Sequence, residues 1–405
     1  MLNVTNATKQ AWASETSQKD ITILILGEGL IHADSIKAGS FTYTESIMSS
    51  DTFEAVGCVA KKLEFETDGY NRPVLKNKLI YATIKADDTE NINVFAGYVD
   101  EGRKQSRKGL KKITAYDMFY NLSRIDVTDW WNNLGETTLL GSLQNFALTY
   151  HFGIATGIDL INADLPCFGG TKRQIKKLSG LDFLKHLCQI NGCFGFFNGT
   201  GLFDVKYIAT RTQHKLYPSQ TLFPSPTIFP SNTESDGSFM TTTIDYYKEL
   251  KYEDYSVKPI DNVIIRNTSK DYGVQYYGGG KNTYIIQGNI FAFDQEYEDI
   301  RRAMLNIFNK ISKVSFRPFS AEHNAYPWLE CGDTVVYNDI DDNGDPIEVE
   351  LLVMERTMSG DQMMWDKFSA KGEEDQYKIF DLKAQLEDIQ NQIDKQTEEE
   401  QDDNS

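Results

Sequence analysis

Asp20-Ile21-Thr22-Ile23-Leu24-Ile25-Leu26-Gly27 alternates Thr with Ile and Leu and stops at a glycine. Successive side chains of an extended chain point to opposite faces, so this run reads as a strand. Further runs follow at 41–48, 59–67, 78–87 and 92–101, each bounded by Gly, Asp or Asn. Strands that succeed one another without an intervening helical run point to a barrel or sandwich. A short leading helix precedes them. Residues 1–125 thus read as a first β-barrel domain, with completion by strands within 203–250 left open.

Residues 126–210 change character. Leu139, Leu140, Leu143, Phe146 and Ala147 fall at helical spacing. Ser179-Gly180-Leu181-Asp182 resembles a capping box with Asp in place of Glu, and Asn191-Gly192 supplies a stop to the helix it opens. A hairpin across Gly199-Thr200-Gly201 completes a small α+β unit. Next comes a hexapeptide written three times. Leu216-Tyr217-Pro218-Ser219-Gln220-Thr221 leads to Leu222-Phe223-Pro224-Ser225-Pro226-Thr227 and Ile228-Phe229-Pro230-Ser231-Asn232-Thr233. Proline at every sixth position excludes helix and central strand. Residues 211–243 read as an extended surface strap carrying Tyr217, Phe223, Phe229, Pro218, Pro224 and Pro230, the plainer reading being a Pro/Ser-rich linker.

Residues 244–372 return to strands and suit a second barrel or sandwich. Runs at 263–267 and 284–288 flank a Tyr-Gly-Gly-Gly turn at 277–280, and further strands are expected at 314–319, 333–337, 347–355 and 361–369. One amphipathic helix uses Ile300, Ala303, Met304, Ile307, Phe308 and Ile311, with Asp294 able to cap it. Residues 373–405 differ again. Ile379, Leu382, Leu386, Ile389 and Ile393 make an a/d seam just over two heptads long, followed by an acidic tail. So short a seam is marginal alone; we read it as a self-association helix, the alternative being a helix docked on its own domain.

The chain of 405 residues is 40% hydrophobic and 12% aromatic, which suits a strand-rich globular protein. Its net charge is −18, but 12 acidic and 3 basic residues fall in 373–405, so half the excess sits there. What remains is mildly acidic and argues against general nucleic-acid binding. Five cysteines without a CxxC pair indicate reduced core thiols. The N-terminus has no basic and apolar leader, and apolar runs are strand-sized, so synthesis in a cytoplasm without a membrane anchor is expected.

Chemistry-bearing patterns are few. Asp339, Asp341, Asn343, Gly344, Asp345 and Glu350 match the spacing of an EF-hand calcium loop, but the flanks read as strands, and Asp-Asn-Gly between strands is a hairpin turn. We therefore expect no metal there. A basic turn carries Arg103, Lys104, Arg107, Lys108, Lys111 and Lys112; the plain reading is a solvated hairpin end, the functional one contact with an acidic neighbour. His186 and Cys188 fall on different helix faces. Nothing resembles a nucleophile elbow, a Walker loop, a dinucleotide fingerprint or a HExxH site, and no cofactor is expected.

Three passages carry a family resemblance. Asn93-Val94-Phe95-Ala96-Gly97-Tyr98-Val99-Asp100, the basic turn and Ile113-Thr114-Ala115-Tyr116-Asp117-Met118 are similar to a strand-turn-strand ending in an "aYD" signature. The Pro-rich hexapeptides are the second passage. Tyr326-Pro327-Trp328-Leu329-Glu330-Cys331-Gly332-Asp333-Thr334-Val335-Val336-Tyr337 resembles the "P-x-L-x-x-G-D" opening of a second barrel. In this order they resemble the tail-hub family of long-tailed bacteriophages, which includes baseplate hub and prophage endopeptidase-tail proteins. The resemblance implies a mainly β chain with two tube-forming barrels, a peripheral α+β domain and a C-terminal helix on a three-fold axis. It implies a homotrimer at the virion tail tip. The expected partners are a tail tube or distal tail protein, a tape-measure protein and a downstream spike or fibre, with DNA passing through unbound. No peptidase or lysozyme domain is appended, so a structural role is expected. The alternatives are a tail-associated cell-wall hydrolase and, less well matched, a carbohydrate-binding module built on the strap and Tyr276-Tyr277.

Overall fold

A computed structural model describes residues 1–374 apart from 15, 48–56, 69–74, 105–109, 173, 209–241, 267–273, 279–281, 294 and 342. The hexapeptide strap, the a/d seam and the proposed cap Asp294 lie outside the described residues.

The run that opens the sequence reading is the strand Lys19–Ile25, whose residues alternate buried and half-buried. It pairs antiparallel with Gly29–His32 on one side and Leu79–Ala86 on the other. From there the sheet continues through Ile92–Lys104, Lys111–Tyr116, Lys62–Thr67 and Thr42–Ser46. It does not end at this N-terminal set. Thr42–Ser46 pairs antiparallel with Glu355–Ser359, which leads to Trp365–Ala370, Phe319–Asn324 and Tyr247–Tyr252. Both strand-rich segments of the sequence thus share one eleven-stranded sheet. Among the described residues its ladder is open, running from the Tyr247–Tyr252 edge to the Gly29–His32 edge. The chain is mainly β, as expected.

Two strand expectations need correction. The strand expected at 314–319 begins only at Phe319 and runs to Asn324, while Phe316 makes a single bridge to Val257. The turn expected at 277–280 overlaps a strand, Val274–Gly278, which joins Asn262–Arg266 and Thr283–Ile286 in a small sheet. Among the described residues, strands within 203–250 pair with no strand of 1–125. Leu202–Lys206 pairs with Phe194–Phe197 and Gly153–Ile154, and Tyr247–Tyr252 pairs with Phe319–Asn324.

The α+β elements form where the spacing puts them. Helix Leu139–Thr149 opens on Thr138, whose side chain accepts from the Gly141 amide. Helix Gly180–Asn191 opens on Ser179, which accepts from the Asp182 amide and donates to the Asp182 carboxylate at 2.7 Å. It ends at Gly192, where φ is 62° and a left-handed residue is required. An aromatic core of Trp130, Trp131, Phe146 and Phe183 lies beneath these helices, and Phe291 from the later segment packs into it, 5.5 Å from Phe183. The amphipathic helix, Tyr297–Ile311, buries Ile300, Ala303, Met304, Ile307 and Ile311, and its Ile307 comes against Gly192. Glu296 occupies its N-cap position.

Candidate assembly site at the sheet join

The Thr42–Ser46/Glu355–Ser359 pairing joins chain segments some three hundred residues apart. Around it charged side chains are buried. Arg356 is 2% exposed and Asp366, on the neighbouring strand, 0%. The guanidinium donates Nε and Nη2 to the two carboxylate oxygens, both at 2.9 Å. It also donates to the backbone carbonyls of Leu329 and Tyr326, and the Tyr326 amide donates back to Asp366 at 2.8 Å. Burial works against the Arg356 charge, but Asp366 outweighs it, so the guanidinium pKa is raised. The planar fork thereby ties the 326–329 loop to the sheet.

The strand alternation of Thr42–Ser46 turns Tyr43 and Glu45 inward together. Glu45 accepts from Tyr43 Oη at 3.0 Å and lies 3.1 Å from the Lys61 ammonium, both ions being buried. Burial opposes the Lys61 charge, yet Glu45 leaves its pKa raised. A third cluster lies where the "P-x-L-x-x-G-D" passage turns. Asp333 accepts from Lys206 Nζ at 2.6 Å and from the Glu330 amide at 2.8 Å, with the Met1 ammonium also at 2.6 Å. Burial would raise the Glu330 carboxyl, but Lys206 and its cationic neighbours bring it down to about 2. Gly332 sits between them at φ 87°, and a Cβ there would stand 2.5 Å from the Phe194 ring. Both backbone and space exclude a side chain.

The "aYD" passage has a similar physical reading. Asp117 caps helix Met118–Leu122, accepting from the Phe119 amide at 3.1 Å and the Lys61 amide at 3.0 Å. Burial pushes its carboxyl up to about 7, against an ordinary value near 4. Between these values the folded chain keeps a proton that the unfolded chain has released. Stability therefore falls as pH rises from about 4 to about 7, by roughly 4 kcal/mol from this group. Asp117→Asn removes that dependence while losing one amide contact at every pH. Urea unfolding should show the variant gaining on the parent between pH 4.5 and pH 7.5; an unchanged difference would rule out a protonated Asp117.

Beside the join lies a trough of about 800 Å³, lined by Glu45, Tyr252, Arg356, Lys367, Lys371 and Gly372 among others. Apolar side chains stand exposed near both sheet edges. Leu26 and Leu30 are each 55% exposed beside the Gly29–His32 edge, and Tyr246 is 83% exposed next to the Tyr247–Tyr252 edge.

Of the residues singled out in the sequence, Lys104 pairs across from Lys111 at the ends of the strands that flank the basic turn. Lys112 Nζ lies 3.0 Å from Glu64, and burial lowers the Lys111 pKa. Arg107 and Lys108 lie outside the described residues. The calcium-spaced acids occupy the hairpin of Thr334–Ile340 and Pro346–Leu352, with Glu350 opposite Val336. Asp339 accepts from the hydroxyls of Tyr247 and Tyr252 at 2.8 and 2.9 Å, and Asp341 accepts from the Asn343 and Asp345 amides. Among the described residues, no group of three or more His, Cys, Asp or Glu side chains could hold a metal, and no helix is long and apolar enough to cross a membrane. Burial lowers the His186 pKa to about 4 and also lowers that of His323, as for imidazoles used in packing. Sequence reasoning missed Arg356, Asp366, Glu45 and Lys61. Their one local signal is the strand alternation that turns each inward.

No protein-family model matches the chain, and a search of curated proteins finds no match. Solved structures do match. A tail protein from Neisseria meningitidis MC58 is 11% identical over 88% of this chain and 97% of its own, with a TM-score of 0.51. The 43 kDa tail protein of prophage MuSo2 from Shewanella oneidensis is 12% identical over 87% and 98%, with a TM-score of 0.50. The chain has the fold of these phage tail proteins.

Proposed function

We propose that the chain is a structural hub protein of a phage tail or phage-like particle. In this reading three copies close a ring that adapts the tail tube to a distal spike or fibre. The observation that supports it is the single sheet built from both strand-rich segments, braced at its join by buried ion pairs and bounded, among the described residues, by the edge strands Gly29–His32 and Tyr247–Tyr252. Such a sheet is a wall element. Its edges carry exposed apolar side chains, and a ring of copies would cover them. Two tube-forming halves per copy would present six similar wall segments to a hexameric tube. The α+β unit would lie at the periphery, and the 379–393 seam would gather on the three-fold axis. The neighbours would be a tail tube or distal tail protein, a tape-measure protein and the spike or fibre, at the tail tip of the virion. DNA would pass without specific binding through a lumen that leans acidic, in keeping with the net charge of −18.

Negative-stain electron microscopy of the purified full chain should show three-fold rings with a central channel. Single-copy particles that also clear a cell-wall zymogram would overturn the proposal in favour of a hydrolase.

A further inference from the structure

Cys58 and Cys188 are 3% and 0% exposed, and their sulfurs stand 3.7 Å apart. They belong to different parts of the molecule. Cys58 lies just before the sheet strand Lys62–Thr67, and Cys188 lies on helix Gly180–Asn191 of the α+β unit. The backbones beside them are already tied, since the Gly195 amide donates to the Gly57 carbonyl at 3.1 Å. A disulfide sets its sulfurs about 2.05 Å apart, so the pair is short of bonding distance by well under the width of an atom. Cys193, also buried, donates its thiol to the Cys188 carbonyl and lies beside the Cys188 thiol as well, which makes it the competing partner.

We propose that Cys58 and Cys188 are a latent disulfide pair, which bonds in an oxidising medium and locks the α+β unit to the sheet. Glutathione disulfide would serve as oxidant. One cysteine thiolate attacks a glutathione sulfur and expels one glutathione thiolate. The second cysteine thiolate then attacks the resulting mixed disulfide and expels the other. The two protein thiols lose two protons and two electrons, and two glutathione thiols form. Burial raises both thiols well above their ordinary range, which keeps thiolate scarce and the exchange slow, while the reducing poise of a cytoplasm favours the dithiol. The chain closed by the bond is long, so the constraint on the unfolded state is large.

The test is peptide mapping of the folded full chain after incubation with glutathione disulfide, an acid quench, and alkylation in denaturant. Two of the five thiols should be lost to alkylation and return with dithiothreitol. Tryptic peptides 38–61 and 186–206 should be linked, with Cys193 alkylated and fragmentation placing the bond on Cys188. Cys193→Ala should leave the link intact and Cys58→Ser should abolish it; if the latter fails to fold, the map of the unaltered chain decides alone. Five alkylated thiols, or a link made to Cys193 or between chains, would overturn the assignment.

Discussion

Arg356→Met should lower the stability of the chain by about 3–5 kcal/mol at neutral pH. The cost comes less from the lost attraction than from what is left behind. Asp366 stays 0% exposed, and its charge loses both guanidinium donors while keeping the Tyr326 amide. The Leu329 and Tyr326 carbonyls lose their donor as well. Arg356→Met combined with Asp366→Leu should recover much of the loss, since no charge is then buried. Urea titrations of the three proteins at neutral pH measure this directly. A single variant within about 1 kcal/mol of the parent would show that the join does not depend on the pair.

The local elements of this fold are written in local sequence. The alternation from Ile21 to Ile25, the Ser179–Asp182 cap with Gly192 as its stop, and the stripe from Ile300 to Ile311 each need only their own neighbours. The edge strand Tyr247–Tyr252 lacks that signal, because Lys248, Glu249 and Lys251 give it no apolar face. The strand expected at 314–319 slipped because Val314 and Phe316 are buried beside the sheet without joining a strand. The join itself has no local mark. Nothing near Glu355 says that its strand pairs with Thr42–Ser46. For the same reason Arg356, Asp366, Glu45 and Lys61 read as surface charges until their partners arrive from far along the chain. Two of the three family-like passages become physical here: Asp117 is a buried helix cap, and Gly332-Asp333 is the turn that collects Lys206.

The second large effect concerns assembly. Removing residues 373–405 takes away the a/d seam of Ile379, Leu382, Leu386, Ile389 and Ile393. A seam of just over two heptads is too short to hold three helices together alone. In the proposed ring it would act together with the sheet edges, each contact raising the effective concentration of the other. Loss of the seam should thus dissociate the ring at working concentrations while leaving each copy folded.

Light scattering on the full chain and on a chain ending at Gly372 tests the assembly reading most directly. The full chain should show three times its own 46.1 kDa, and the truncated chain a single copy. A full chain that remains a single copy, at concentrations where the truncated one does too, would contradict the account.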